Sequence, residues 1–436
     1  MKFSVPRGTS DILPDAVPHW EELESKARKI CKSYGYREIR TPVYEETGLF
    51  QRSLGQTSDV VNKQLLQVFS SPAKDLSQVS ANSENTVVGY SLRPEGTAAV
   101  VRSYLENSFD KNEPLSKLFY IGPMFRGERP QKGRLRQFHQ IGVEAIGPNS
   151  ISAFLDAEII ALAMHLLKNF GIKNPKLKIN SLGSKEDKAN ISEWLRKEFA
   201  KHKKDLCEEC QNRFERNVFR VLDCKSESCR RLVNKIVKEL PISGESRSYF
   251  DAVQHCLKAI GIDFEVSPHL VRGLDYYTYT VFEITAEGLG SQDAVGAGGR
   301  YDRLLDDLGG DEKANFGAIG FALGIERILL ATSLTQETST VLDACMVVLN
   351  SGYEFQKEAF KIVDRLRKVG ISVDMSYTDR PVKSQFSRAN KLNARFALIL
   401  GEDEFDKGKI SIKNMKTSHQ ELVDRETVLD YLRKVL

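Results

Sequence analysis

No stretch of this 436-residue chain is apolar over the roughly 20 residues that a membrane-spanning helix needs. The N-terminus, MKFSVPRGTSDILP, lacks the apolar core of a secretion leader, so a cytoplasmic protein with no membrane partner is expected. No GxxxxGKS or GxxxxGKT run occurs, which excludes a Walker loop as a phosphate cradle. Neither charge sign dominates: 63 Lys and Arg against 59 Asp and Glu leave a net charge of +4, too small to establish a nucleic-acid partner. The basic excess lies in residues 186–262 and 341–436, outside the rest of the chain. Internal repeats are absent, and the one biased stretch is the Ser/Asn-rich segment 70–86, read as a surface loop. Seven cysteines, an odd number without a leader, argue for reduced thiols rather than a disulfide scaffold.

The composition is that of an ordinary globular protein, 41% hydrophobic and 28% charged, and the length allows two or three domains. Helical spacing of Trp20, Leu23, Ala27 and Ile30 predicts a helix over 18–35. A broken strand follows at YREIRTPVYEE, then a helix at EGTAAVVRSYLE. KLFYIGPMFRGE and RQFHQIGVEAIG read as two strands around the polar turn RPQKGRL. The apolar helix 151–171 and the strand PKLKINSLG precede a charged, mostly helical block at 186–262. GAGGRYDRL reads as a flexible glycine run leading into Tyr301. Residues 332–340 form a polar linker between a unit at 1–331 and an α/β unit at 341–436 with a mainly parallel sheet.

Side chains alternate across a strand, so Arg136, Phe138, Gln140, Gly142 and Glu144 share one face. His139, Ile141, Val143 and Ala145 share the other. Arg126 and Glu128 lie together at the end of the preceding strand. The pattern is either a ligand platform or a strand with one solvated face. Other polar groups cluster at element ends: Glu95, Gly96 and Thr97 at a helix start, Arg327 in the first turn after Gly324, and Arg272 before Asp275, Tyr276 and Tyr277. Without a Walker loop, any ATP must be held by separate arginines, whose planar forks match phosphate oxygens; Arg126 and Arg327 suit that task.

Taken together, PRGTSDILP, LRPEGTAA, MFRGERPQKGRLRQFHQIGVE, LVRGLDYYT, GAGGRYDRL and GFALGIERIL resemble the histidyl-tRNA synthetases, a class II aminoacyl-tRNA synthetase family. Residues 62–90 and Gly127 depart from the family pattern. The resemblance implies an α+β catalytic domain, an antiparallel sheet flanked by helices, with an inserted domain at 186–262 and a C-terminal α/β anticodon-binding domain. It implies L-histidine, ATP with Mg²⁺ and tRNA(His) as ligands, and a homodimer. By resemblance Arg126 and Arg272 meet the α-phosphate, Arg327 the γ-phosphate, Phe138 stacks on adenine and Glu128 accepts from its amino group. Glu95, Gly96, Thr97 and Gln140 would hold the amino end of histidine, Glu144 and Tyr277 the imidazole, and Tyr301 would close the pocket. Tyr276 is counted with this set, although an aromatic at a strand start is also readily a packed core residue, as Asp275 is readily a cap. The turn Arg129, Gln131, Lys132, Arg134 is basic and carries an amide, and is expected at the acceptor end of the tRNA.

Cys207, Cys210, Cys224 and Cys229 form two pairs whose spacing is compatible with zinc, but the second pair is looser than a ribbon knuckle. The alternative is a set of small buried thiols, and no metal ligand is assigned. Two other readings of the whole chain stand beside the enzyme. One is a catalytically inactive, synthetase-like regulatory subunit of histidine biosynthesis, which would lack the C-terminal domain and the intact histidine motifs. The other is a tRNA-binding scaffold, which would have no need of Arg126, Arg272 and Arg327 together.

Overall fold

The computed structural model describes residues 3–55, 58, 60–68, 89–131, 133–290, 293–332 and 342–436. Lys132, the loop expected at 70–86 and nearly all of the 332–340 linker lie outside these. The chain forms two compact units, the first from Met1–Asp11 and Trp20–Leu334, the second from Ile12–His19 and Thr335–Leu436.

The strands of the first unit are β1 (Arg37–Glu38), β2 (Tyr44–Glu46), β3 (Gln67–Val68), β4 (Tyr90–Leu92), β5 (Ser116–Phe125), β6 (Gln137–Pro148), β7 (Lys176–Ser181), β8 (Glu265–Val266), β9 (Thr278–Thr285), β10 (Ala294–Arg300) and β11 (Phe316–Gly324). Its helices are α1 (Val17–Ser33), α2 (Thr47–Leu54), α3 (Thr97–Glu106), α4 (Ala153–Asn169), α5 (Lys185–Ala200), α6 (Glu208–Arg216), α7 (Glu227–Ile236), α8 (Gly244–Ala259), α9 (Arg303–Asp307) and α10 (Ile325–Thr332). An eight-stranded sheet runs in the order β1-β5-β6-β11-β10-β9-β7-β8. All its pairings from β5 to β7 are antiparallel; only the two-residue edge strands β1 and β8 pair in parallel. β2, β4 and β3 form a small antiparallel sheet.

The sheet separates two apolar cores. Ile141, Val143 and Ala145 of β6 point into one, against Leu23, Ala27 and Ile30 of α1, Ile159 and Leu166 of α4, and Phe250, Val253 and Leu257 of α8. Phe138 and Tyr120 point into the other, with Val100 and Tyr104 of α3 and Ile191, Leu195 and Phe199 of α5. The period-2 reading of β6 therefore holds. The helices of block 186–262 divide between the two faces: α5, α6 and α7 pack on the Tyr120 side and α8 on the other.

The glycine run before Tyr301 is corrected. Gly296, Gly298 and Gly299 belong to β10, a central strand bonded on both edges, and not to a flexible loop. Glycine is poor in isolated strands, but here close packing demands it: a Cβ on Gly298 would lie 2.2 Å from the Gly320 carbonyl oxygen.

The second unit contains β12 (Ala344–Val348), α11 (Tyr353–Lys368), β13 (Val373–Met375), α12 (Val382–Lys391), β14 (Phe396–Leu400), α13 (Glu402–Asp406), β15 (Lys409–Asn414), β16 (Gln420–Asp424) and α14 (Val428–Val435). Its sheet, β13-β12-β14-β15-β16, is parallel over the first three strands and antiparallel over the rest. The expected mainly parallel sheet is thus only half met. The short link from β14 to β15 cannot make a parallel crossover, which takes a dozen residues or more.

Candidate active site

On the Tyr120 side of the sheet lies a cleft of about 1290 Å³. Its floor is β5, β6, β10 and β11, and its walls carry nearly every residue that the motifs single out.

One end is built around Glu144. Its carboxylate accepts hydrogen bonds from Thr97 Oγ1 at 2.8 Å, Tyr301 Oη at 2.6 Å and, more weakly, Tyr120 Oη at 3.5 Å. The side chain is 1% exposed. Burial pushes its pKa up to about 8, against the pull of the three hydroxyl donors. The sheet makes room for this arrangement by omitting carbons. A Cβ on Gly320 would fall 1.8 Å from Glu144 Oε2, and one on Gly142 would fall 1.9 Å from the Tyr120 ring. Tyr276 and Tyr277 lie beside it with rings tilted at 55° and centroids 4.6 Å apart, and Tyr276 meets the edge of Tyr301 at 5.7 Å. Burial raises the Tyr277 phenol to about 12, so it remains a hydrogen-bond donor at neutral pH.

Next along the cleft, Glu95 caps α3 by accepting from the Thr97 and Ala98 backbone amides at 2.7 and 2.9 Å. Burial raises its pKa, although those amides favour the charged form. Gln140 faces the same space, and its buried Oε1 has no hydrogen-bond partner among the described residues. A buried orphan acceptor is costly unless a ligand completes it.

The other end is cationic. Arg126 is tied by Nε to the Pro94 carbonyl at 2.8 Å and lies 5.1 Å above the Phe138 ring. Arg327 donates to the carbonyls of Gly133 and Ala294 at 2.9 and 2.7 Å. Burial lowers the pKa of both, and the repulsion of Arg134 lowers them further. Three mutually repelling guanidiniums around Glu128 leave an excess of two positive charges, a setting that favours a bound polyanion. Glu128 answers Arg134 at 3.4 Å and Arg126 at 3.9 Å. Arg272 meets Glu283 Oε2 at 2.6 Å on the wall between the two ends.

The structure therefore brings together Glu95, Thr97, Arg126, Glu128, Phe138, Gln140, Arg272, Tyr276, Tyr277, Tyr301 and Arg327 on one cleft, with Glu144 bonded beneath them. Gly96 adjoins it as the N-cap of α3. The turn residues separate: Arg129 and Gln131 are exposed at the tip, whereas Arg134 lines the cleft beside Glu128. Asp275 is held by Asn217 Nδ2 at 2.8 Å, and Lys188 Nζ donates to the carbonyls of Asp275 and Tyr277, each at 2.7 Å. Sequence reasoning missed three participants: Tyr120, Glu283 and Lys188. Tyr120 was hidden inside the apolar run KLFYIG. Its place on the Glu144 face is the one signal that could have exposed it.

Comparison with known proteins agrees with this geometry. The model of the histidyl-tRNA synthetase family matches residues 8–328, and that of the anticodon binding domain matches residues 343–435. The chain is 44% identical to a histidine–tRNA ligase of Moorella thermoacetica, across 100% of this chain and 99% of that protein. It is 45% identical to one of a Geobacillus species, across 100% of both. The crystal structure of apo Staphylococcus aureus histidyl-tRNA synthetase superposes with a TM-score of 0.76 at 33% identity, covering 99% of this chain and 100% of that one. With the family model matched over residues 8–328 and its full length matched by relatives at 44 and 45% identity, the chain belongs to the histidyl-tRNA synthetase family.

Proposed function

We propose that the cleft joins L-histidine to ATP, releasing pyrophosphate, and then transfers the histidyl group from the adenylate to the 3′ end of tRNA(His). The observation that carries this reading is the polarity of one cleft. A buried carboxylate ringed by phenols occupies one end and three repelling arginines the other. Full-length similarity to proteins named as ligases speaks for the catalytic enzyme over the regulatory subunit.

Imidazole presents two nitrogens at a fixed separation, one a donor and one an acceptor when neutral. Glu144 accepts from one, and the Tyr277 phenol donates to the other. A wrong side chain leaves these buried groups unpaired, and such sites reject isosteres by roughly 10⁴-fold without editing. Gln140 Oε1, Glu95 and Thr97 receive the ammonium, which completes the orphan acceptor. Phe138 stacks on adenine, Glu128 accepts from the adenine amino group, Arg126 holds the α-phosphate and Arg327 takes the γ-phosphate. Arg272 turns from Glu283 toward the carboxylate oxygen and α-phosphate, where negative charge gathers as they join. The substrate carboxylate is already ionised at neutral pH, so positioning and fixed cations suffice and no protein nucleophile is needed.

Mg²⁺ commonly binds through one or two carboxylates plus substrate phosphates and keeps several waters. The cleft fits that mode: it offers Glu283, paired with Arg272, rather than a carboxylate cage. That carboxylate would hold the ion beside ATP, and the ion would supply neutralisation of charge on the departing pyrophosphate.

Of the turn Arg129, Gln131, Lys132, Arg134, the exposed Arg129 and Gln131 serve the tRNA acceptor end with Lys132, and Arg134 is shared with ATP. The second unit reads the anticodon, supported by Lys383 and Lys391 exposed on α12. A cytoplasmic homodimer, paired through the first unit, completes the reading. No described helix is long and apolar enough to cross a membrane.

The test is histidine-dependent ATP–pyrophosphate exchange, set against the other amino acids, followed by charging of tRNA(His). A chain ending at residue 331 is expected to retain exchange and to charge poorly. Exchange that is absent, or independent of histidine, would refute the assignment of the cleft. Full charging by the shortened chain would refute the anticodon role.

A further inference from the structure

The four cysteines of the inserted block fall in two sequence pairs, Cys207/Cys210 and Cys224/Cys229, and all their sulfurs converge. All four Sγ atoms lie within 4.8 Å of one another. Cys207 and Cys224 Sγ are 3.8 Å apart. Four thiolates bound to Zn²⁺ at about 2.3 Å in a tetrahedron have sulfur–sulfur edges of about 3.8 Å. Every cysteine is a free thiol, so no disulfide accounts for the convergence.

The local backbone is arranged as a thiolate site requires. Cys207 is the N-cap of α6 and Cys210 lies in its first turn; Cys229 lies in the first turn of α7, just after its N-cap Ser226. Both pairs therefore sit at the positive end of a helix, where a thiolate is favoured. Backbone amides donate to sulfur: Cys207 N to Cys229 Sγ at 3.2 Å and Ser226 N to Cys224 Sγ at 3.4 Å. Such amide bonds orient metal-bound sulfur and spread its charge. Cys210, Cys224 and Cys229 are buried and Cys207 is partly exposed. Three buried sulfurs with Cys207 at the partly open side admit an ion and then shield it.

We propose that Cys207, Cys210, Cys224 and Cys229 bind one zinc ion as a structural Cys₄ site. Binding replaces four S–H protons by four Zn–S bonds; the protons pass to solvent, and the completed site carries a net charge of −2. No oxidant or reductant is involved. The site staples α6 to α7 and, with them, the intervening chain. That chain carries Asn217, which bonds Asp275, and Arg220, whose guanidinium borders Gly273. Zinc thus helps to hold the Arg272–Tyr277 wall of the cleft from behind, although the site's existence does not depend on the role given to that wall.

The decisive measurement is metal content. The full-length reduced protein, exchanged into chelator-free buffer, is expected to carry one zinc per chain by plasma mass spectrometry. Stripped and titrated with Co²⁺ under argon, it is expected to develop thiolate-to-cobalt charge transfer and tetrahedral d–d absorption that saturate at one equivalent and vanish on adding Zn²⁺. Cys224→Ser is expected to weaken the absorption and lower the zinc content, whereas Cys345→Ser, outside the cluster, leaves both unchanged. Zinc should also protect four thiols from a maleimide in the parent protein, a readout that needs no variant to fold. No saturable cobalt spectrum, or equal labelling of the four thiols with and without zinc, would overturn the proposal. So would a native disulfide among the four in reducing buffer.

Discussion

The two units of this protein treat charge in opposite ways. The first buries Arg93, Glu95, Glu144, Asp156, Asp187, Arg300 and Asp302. In the second, the buried polar side chains among the described residues are the neutral Gln385 and Ser411. Gln385 ties α12 to β12: its side-chain amide accepts from the Val348 N–H at 3.0 Å and donates to the Val348 carbonyl at 2.9 Å. A unit that only presents a surface can be an apolar core with charges outside. A unit that must discriminate a small polar molecule brings charge indoors and supports it with further polar groups. Arg300 illustrates the support: it is wholly buried, donates to Asp156 at 2.8 Å and Asp302 at 2.6 Å, and precedes Tyr301 directly.

Four perturbations sharpen this contrast, in decreasing order of expected effect. Asp156→Ala strands Arg300 without its main counter-charge. A loss of about 3–5 kcal/mol in unfolding free energy is expected, read by urea denaturation. The second unit has no comparable position among its described residues, and a change below about 1 kcal/mol would mean that the buried network is replaceable.

Arg272→Ala is expected to leave folding intact and cost about 3 kcal/mol of transition-state stabilisation, roughly a hundredfold in pyrophosphate exchange. Near-normal exchange in the folded variant would remove Arg272 from the chemistry.

Glu144→Gln is expected to weaken histidine binding by about 1.5–3 kcal/mol while sparing ATP, checked by calorimetry. It also carries a pH signature. The native carboxyl titrates at about 8 against an ordinary 4.5, so the folded protein holds a proton that the unfolded chain releases. The stability this proton confers is present below pH 4.5 and is lost as pH rises through 8. The melting temperature of the variant relative to the parent should therefore climb between those limits. A flat difference would show that Glu144 stays charged throughout.

The smallest effect is expected in the second unit. Changing Lys383 and Lys391 to Glu should raise KM for tRNA and reduce the salt slope of binding by about one per lost phosphate contact, with exchange unaffected. An unchanged salt slope would move the RNA surface elsewhere on the unit.

Much of this site was legible in the sequence, and the reason is local. The alternation of β6 placed Phe138, Gln140 and Glu144 on one face because pleating imposes a period of two wherever one side is buried. Arg327 at the start of α10 and Glu95 before α3 were readable because helix ends announce themselves. What escaped depends on contacts between distant segments. Tyr120 looked like core because a phenol in an apolar run gives no hint of what faces it. The GAGG stretch looked like a loop because its strand character comes from the crowding of Phe282 and Gly320, not from its own preference. The cysteine convergence was obscured by the loose second spacing, which α7 absorbs by presenting Cys229 from its first turn. Arg134 was assigned to the tip by its neighbours in sequence, while its side chain turns back to Glu128.

The glycines beneath Glu144 and Tyr120 have a consequence for how this pocket can change with time. Every replacement of glycine adds atoms, and at Gly142 and Gly320 the first added carbon already collides with Tyr120 and Glu144. At these two positions the floor cannot be deepened by an amino-acid exchange; it can only be raised. Drift at these two codons therefore shrinks the space for the amino acid and never enlarges it. Acceptance of a bulkier substrate would have to come through the walls, at the tyrosines, where shortening a side chain opens room without touching the sheet.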